Sequence, residues 1–120
     1  MRLFVDCDDT LVIWQNPHVN QDSNVWMGES WKPNDDLIFS INFALNLNPD
    51  IQLIIWSGGG VDYASRWAFR FFPNIPYLAL AKDISLPTKE DICIDDMPIK
   101  VEGILLTPAE FITQGEHIEA

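Results

Sequence analysis

Cysteine is scarce in this chain. Only two of its 120 residues are cysteines, Cys7 and Cys93, and both lie in apolar stretches typical of strands. We therefore expect no disulfide framework, and this composition favours a reducing, cytoplasmic setting. A secretion signal is not expected either, because Met1 leads directly into a predicted strand rather than into a basic and apolar leader.

Basic residues and long apolar runs are also in short supply. The chain has 7 lysines and arginines against 18 acidic residues, which gives a formal net charge of −11. With so little positive charge to follow a phosphate backbone, a nucleic-acid partner is not expected. No apolar run approaches the roughly 20 residues that a membrane-spanning helix needs. We therefore expect a soluble protein that does not contact a membrane.

Apolar residues make up 48% of the sequence, enough for the core of a single domain over residues 1–120. The predicted strands are 2–6, 51–56, 77–81, 91–94 and 103–106, and the predicted helices are about 34–47, 61–72 and from 107 onward. Strands and helices alternate, and the strands are nearly continuous apolar runs. This pattern predicts an α/β fold of three layers, Rossmann-like, with a mostly parallel five-stranded sheet and helices on both faces.

Residues 12–34 depart from this pattern. They mix asparagine, glutamine, proline, serine and glycine with three tryptophans, Trp14, Trp26 and Trp31. Such a composition predicts a small flap or short hairpin inserted in the domain. The tryptophans either form a stacking lid over a substrate or fill an edge of the core, and the sequence leaves both interpretations open.

The first predicted strand ends in a cluster of acids. Asp6, Asp8 and Asp9 occupy three of four consecutive positions after an apolar run. Neighbouring like charges repel by roughly 1 kcal/mol per pair in water, and by more in a partly dry cleft. A divalent cation would offset that repulsion. The cluster therefore predicts a metal site with one acid left for chemistry.

Polar side chains also follow the next three strands. Ser57 comes after the second strand, Lys82 after the third, and Asp95 and Asp96 after the fourth. Ligands of parallel sheets bind beyond the carboxyl ends of the strands, which share one edge. We therefore expect these groups to lie together with the acid cluster.

Taken in order, the motifs Asp6-x-Asp8-x-Thr10, Ser57, a lysine and Asp95-Asp96 resemble those of the haloacid dehalogenase superfamily of phosphotransferases. The resemblance implies a Mg²⁺-dependent phosphomonoester hydrolase that works through an aspartyl-phosphate. Segment 12–34 is too short for a folded cap, so the chain looks like a small, nearly capless member. An open site suits a phosphoprotein, whereas a phosphorylated small molecule would need a neighbouring subunit of a homo-oligomer to cover it.

The resemblance also implies roles for the first motif. Asp6 would be the nucleophile that attacks phosphorus. Asp8 would protonate the leaving oxygen and then activate water. Thr10 would support the turn and the acid through its hydroxyl, although a plain polar cap explains it equally well.

The remaining motifs would bind phosphate. Ser57 and Gly58 would contact phosphoryl oxygens, and a lysine would neutralise their charge and hold the nucleophile. Lys82 is preferred over Lys89, because Lys82 ends a strand while Lys89 follows Pro87-Thr88 in a predicted loop.

In the family, the metal would lie among four acids. The resemblance assigns Mg²⁺ to Asp6, Asp95 and Asp96, with the backbone carbonyl of Asp8 as a further ligand. Two alternatives remain open from the sequence: a catalytically silent scaffold of the same fold, and a phospho-accepting receiver domain. Receivers place the accepting acid in mid-chain, where this sequence has Trp56-Ser57.

Overall fold

A computed structural model describes residues 1–14 and 31–119. In chain order its elements are β1 (Arg2–Asp6), β2 (Val12–Trp14), β3 (Trp31–Pro33), α1 (Asp35–Leu47), β4 (Gln52–Ser57), α2 (Val61–Phe71), β5 (Tyr77–Ala81), β6 (Ile92–Ile94), β7 (Ile104–Leu106) and α3 (Pro108–Glu119). The predicted α/β class is confirmed, and the predicted strand bounds differ from these by a residue at most.

Five of the strands form one sheet, in the order β5-β4-β1-β6-β7. Each neighbouring pair is parallel, and Asp6 at the end of β1 lies opposite Trp56 of β4. The predicted five-stranded parallel sheet is therefore confirmed. Strands β2 and β3 form a separate antiparallel ribbon in which Trp14 lies opposite Trp31. This ribbon joins the two ends of residues 15–30, which lie outside the described part of the chain.

Alternate residues of the strands face two separate cores. The larger core contains Leu3 and Val5 of β1, Leu53 and Ile55 of β4, and buried residues of α1 and α2; Phe111 and Ile112 of α3 pack against it. The smaller core, on the opposite face, contains Phe4, Ile54, Trp56 and Cys93, with Ile99 and Val101 packed against it. Both faces of the sheet are therefore covered, as the apolar runs predicted.

Connecting segments form the layer over the smaller core. The sequence predicted helices on both faces, but the three helices of the described residues pack against the larger core. On the other face, Ile99 and Val101 of segment 95–103 pack against the smaller core, and this segment is not helical. Segment 82–91 makes its own turns, because Asp83 accepts a hydrogen bond from the backbone N–H of Ser85 at 3.0 Å.

Two of the helices begin with side-chain caps. The Asn34 side chain accepts a hydrogen bond from the backbone N–H of Leu37 at the start of α1. At α3, Thr107 and Glu110 bond reciprocally to each other's backbone N–H and so form a capping box. In the described part of the chain, no helix has both the length and the apolar character needed to cross a membrane.

An ion pair joins the start of β1 to the segment before β6. Asp91 is 2% exposed and accepts hydrogen bonds from the Arg2 backbone and guanidinium and from the Thr88 backbone and hydroxyl. Burial alone would raise the pKa of Asp91, but the bonds from Arg2 and Thr88 outweigh it and hold the pKa at about 2. The pair lies at the amino end of the strands and fixes segment 86–91 there.

Candidate active site

The four predicted strand-end motifs lie at the carboxyl edge of the sheet. Strand β1 is central and ends at Asp6, and its neighbour β4 ends at Ser57. Lys82 follows β5, and its backbone N–H donates to the Ser57 carbonyl at 2.9 Å. Asp95 directly follows β6 on the other side of β1. The parallel topology thus brings together residues that are far apart in sequence.

Three carboxylates converge at this edge. Asp6, Asp95 and Asp96 each offer an oxygen, and these oxygens all lie within 4.8 Å of one another. Asp6 is 8% exposed and Asp95 is 1% exposed, whereas Asp96 is open to solvent. Mg²⁺ prefers a few carboxylate ligands together with water and phosphate oxygens. A donor set that is buried on one side and open on the other fits that ion.

Lys82 is the cation of this cluster. Its ammonium group donates to Asp95 and lies 3.4 Å from Asp6 Oδ1. Burial alone would lower the pKa of Lys82, but the hydrogen bond to Asp95 and the charge of Asp6 outweigh it and raise the pKa. Lys89 is exposed in the connection between β5 and β6. Of the two lysines that the sequence offered, the structure places Lys82 against the acids.

The charges within the cluster do not balance. Burial, and then the charge of Asp95, raise the pKa of Asp6 to about 6, although Lys82 partly offsets the rise. Burial and Asp95 also raise the pKa of Asp96. A single lysine therefore leaves the repulsion among three carboxylates only partly compensated, and a divalent cation would remove the remainder.

Thr10 supports the turn that follows β1. It is fully buried, and its hydroxyl lies 3.4 Å from Asp6 Oδ2 and 3.5 Å from Asp96 Oδ1. Its backbone N–H donates to the Cys7 carbonyl at 3.2 Å, which closes the turn. Asp9 adopts the left-handed conformation there, with φ 58°. Thr10 thus contacts two acids of the cluster instead of acting as a surface cap.

Ser57 and the glycines after it form the predicted phosphate loop. Ser57 Oγ accepts the backbone N–H of Gly59 at 2.9 Å, which leaves the serine proton free to donate. Gly58 is exposed, and a Cβ there would meet nothing within 4 Å. Gly60 has φ 100°, a conformation that glycine adopts readily, and α2 begins after it.

Asp8 has different partners from the other acids. It is exposed, and its Oδ1 accepts hydrogen bonds from the Tyr63 hydroxyl and from Trp14 Nε1, the latter at 3.0 Å. The group of converging carboxylates is made of Asp6, Asp95 and Asp96. Metal binding by the backbone carbonyl of Asp8 stays a prediction.

Tyr63 is a residue at this site that the sequence patterns did not single out. The structure makes it a hydrogen-bond donor to Asp8. The sequence feature that could have identified Tyr63 is its position three residues after Gly60, in the first turn of α2. That turn begins at the carboxyl edge of the sheet.

The tryptophans of segment 12–34 have different environments. Trp31 packs edge-to-face on Trp67 with ring centroids 4.9 Å apart, and the Arg70 guanidinium lies 4.9 Å from its ring centroid. Trp31 therefore fills an edge of the core, one of the two roles that the sequence left open. Trp14 contacts Asp8, and Trp26 lies outside the described residues.

Comparisons with protein-family models, with curated proteins and with solved structures found no match. The function of this chain therefore has to be inferred from its own residues and geometry.

Proposed function

We propose that this protein is a Mg²⁺-dependent phosphomonoester hydrolase of the haloacid dehalogenase superfamily, acting through an aspartyl-phosphate. The observation that carries the proposal is the convergence of Asp6, Asp95 and Asp96 around Lys82 at the carboxyl edge of the sheet. The order of the motifs along the chain and their positions at strand ends also support it.

In the first step, a carboxylate oxygen of Asp6 attacks phosphorus in line with the ester oxygen. The bond from phosphorus to the ester oxygen breaks, and Asp8 donates a proton to the leaving oxygen. Lys82 and Ser57 bind the non-bridging oxygens, with Gly58 allowing the backbone to approach them. These donors stabilise the charge of the transition state without reorganising.

In the second step, water attacks phosphorus of the aspartyl-phosphate and gives a proton to Asp8. The bond from phosphorus to the Asp6 oxygen breaks, which releases inorganic phosphate and regenerates both carboxyl groups. Asp6, Asp95 and Asp96 would hold Mg²⁺ with the Asp8 carbonyl, and Mg²⁺ when bound supplies positive charge against the phosphoryl group.

The substrate class follows from openness and charge. Asp96, Asp8 and Gly58 are exposed, so the described part of the site is accessible from solvent. The net charge of −11 disfavours a nucleic-acid substrate. The proposed substrate is a phosphorylated small molecule or a phosphoprotein in the cytoplasm. For a small molecule, a neighbouring subunit of a homo-oligomer would cover the open site.

The test is hydrolysis of 4-nitrophenyl phosphate by the full chain with Mg²⁺ and with a chelator. We expect activity that chelation abolishes and that Asp6→Asn lowers by about 10³-fold or more, because the nucleophile is lost. Asp9→Asn is the matched control, since it removes the same charge three positions away at a φ that asparagine tolerates. Hydrolysis that survives Asp6→Asn would contradict the mechanism.

A catalytically silent scaffold is the second candidate. The observation that favours it is that the Asp8 carboxylate already accepts hydrogen bonds from Tyr63 and Trp14. A panel of nucleotides, sugar phosphates and phosphopeptides distinguishes the two functions: the scaffold is supported if Mg²⁺ raises the Tm while no ester is hydrolysed. Stable phosphorylation without turnover would instead indicate a receiver domain.

A further inference from the structure

Two elements of the fold donate hydrogen bonds to one oxygen of Asp8. The Tyr63 hydroxyl comes from the first turn of α2, and the Trp14 indole N–H comes from β2. Both reach Oδ1, and among the described side chains none donates to Oδ2. An exposed aspartate would otherwise sample several rotamers. The two bonds therefore select one orientation of this carboxylate.

The two donors are themselves held by packing. The Tyr63 ring lies edge-on to Trp67 with centroids 6.2 Å apart, and Trp67 stacks on Phe71 at 5.6 Å. Trp31, which pairs with Trp14 in the ribbon, packs on Trp67. The rings of Trp31, Trp67 and Tyr63 thus form a continuous set of contacts from the ribbon to α2. The Asp8 carboxylate lies between the Trp14 indole N–H and the Tyr63 hydroxyl.

The loop before α2 is adapted to the tyrosine. A Cβ on Gly59 would lie 3.1 Å from a ring carbon of Tyr63 and 3.4 Å from Ser57 Oγ. Glycine therefore allows the ring to lie close to the predicted phosphate loop. From this position the Tyr63 hydroxyl donates to Asp8 Oδ1.

We propose that Tyr63 and Trp14 are positioning residues, which hold the Asp8 carboxyl group so that Oδ2 faces the leaving ester oxygen. This inference rests on the proposed hydrolase function. Because both donors bind Oδ1, the proton of the protonated Asp8 carboxyl group is on Oδ2. The Oδ2–H bond breaks as this proton passes to the leaving oxygen. Under this proposal the contact of Asp8 with Tyr63 and Trp14 is part of the catalytic arrangement.

The inference predicts a dependence on the leaving group. Proton donation assists departure of a basic alkoxide or phenolate strongly, and departure of 4-nitrophenolate very little. Loss of the positioning bonds should therefore slow hydrolysis of phenyl phosphate more than hydrolysis of 4-nitrophenyl phosphate. The two esters have similar shapes, so a change in binding would affect both.

The experiment measures kcat and KM of the full chain and of Tyr63→Phe on these two esters. For Tyr63→Phe we expect kcat on phenyl phosphate to fall by roughly 10- to 100-fold, a change of less than about 3-fold on 4-nitrophenyl phosphate, and similar KM values. Trp14→Phe should shift the same ratio in the same direction. Tyr77→Phe is the matched control, because it removes a hydroxyl at the amino end of β5, the opposite edge of the sheet.

Each outcome decides the inference. An equal loss on both esters, or no change on either, would overturn the positioning role and leave the hydrolase proposal standing if Asp6→Asn is inactive. If Tyr63→Phe does not fold, the ratio measured with Trp14→Phe decides, with circular dichroism as the folding check. No hydrolysis by the unaltered chain, or full activity in Asp6→Asn, would overturn the hydrolase and the inference together.

Discussion

Asp6 has a hydrogen-bonding neighbour at each of its two oxygens. Lys82 lies 3.4 Å from Oδ1, and the Thr10 hydroxyl lies 3.4 Å from Oδ2. Both favour the charged carboxylate, whereas burial and the nearby Asp95 favour the protonated acid and raise its pKa to about 6. The net effect when no cation is bound is a raised pKa, so Asp6 should lose its proton at a higher pH than an ordinary aspartate does.

This shift gives a stability prediction with a definite sign. The folded pKa of Asp6 is raised from 3.8 to about 6, so its contribution to stability is full below pH 3.8 and is lost as pH rises through about 6. Asp6→Asn cannot lose a proton there. With a chelator present, the free energy of unfolding of Asp6→Asn minus that of the unaltered chain should increase from pH 4.5 to pH 7.5. Urea unfolding at the two pH values measures it.

Asp9→Asn serves as the control for this pH series. Asp9 carries the same charge in the same turn but lies outside the converging carboxylates, so Asp9→Asn should change this difference less than Asp6→Asn does. A flat difference for Asp6→Asn would show that Lys82 and Thr10 fully compensate the burial of Asp6.

At the scale of the elements, the Arg2–Asp91 pair connects β1 to the segment before β6. Asp91→Asn keeps the shape but loses the charge, and we expect it to lower the free energy of unfolding by about 2 kcal/mol, a typical value for hydrogen bonds to a charged group. The pKa of Asp91 is lowered from 3.8 to about 2, so its contribution is full above pH 3.8 and is lost as pH falls through about 2.

Urea unfolding at pH 6 and pH 2.5 tests this second prediction. The destabilisation caused by Asp91→Asn should be largest at pH 6 and should shrink at pH 2.5. Asp50→Asn, at an exposed position after α1, is expected to change stability by less than about 0.5 kcal/mol at pH 6. A loss for Asp91→Asn that is no larger than this would mean that the connecting segment does not depend on the pair.

Among the helices and strands, some features could be predicted from local sequence patterns. The helix starts at Asn34 and Thr107 were predictable because capping is local, within three residues of the cap. The covering of the second sheet face was not predictable in the same way. Phe4 and Trp56 require a partner layer, but a helix and an irregular segment such as 95–103 can both supply it.

At the scale of the whole molecule, Mg²⁺ should stabilise the folded state. The acids converge only after β1 and β6 pair, so the unfolded chain lacks the site, and binding raises the free energy of unfolding by about 1.4 kcal/mol at tenfold excess over Kd. We expect a Tm increase of a few degrees in the unaltered chain. Asp96→Asn should reduce that increase, without lowering the Tm in a chelator, because it relieves repulsion from Asp95.

Thermal unfolding with Mg²⁺ and with a chelator provides the measurement. Asp9→Asn is again the matched control and should keep the full increase, since Asp9 lies outside the group of converging carboxylates. A Tm increase of the same size in Asp96→Asn would exclude this acid from the metal site.

The sequence by itself determined the parallel sheet and the groups at its carboxyl edge. Continuous apolar runs must be buried on both faces, and the acids, serine and lysine that end them must then share one edge, because parallel strands all point the same way. Residue order alone carries that information.

Only the tertiary structure decided which neighbours those groups contact. It selected Lys82 against Lys89, placed Trp31 in the core edge, and set Tyr63 against Asp8 across 55 residues of sequence. Such contacts depend on how α2 and the ribbon pack beside the sheet, and no local periodicity encodes that approach. The acids predict the chemistry, and packing determines which neighbours orient them.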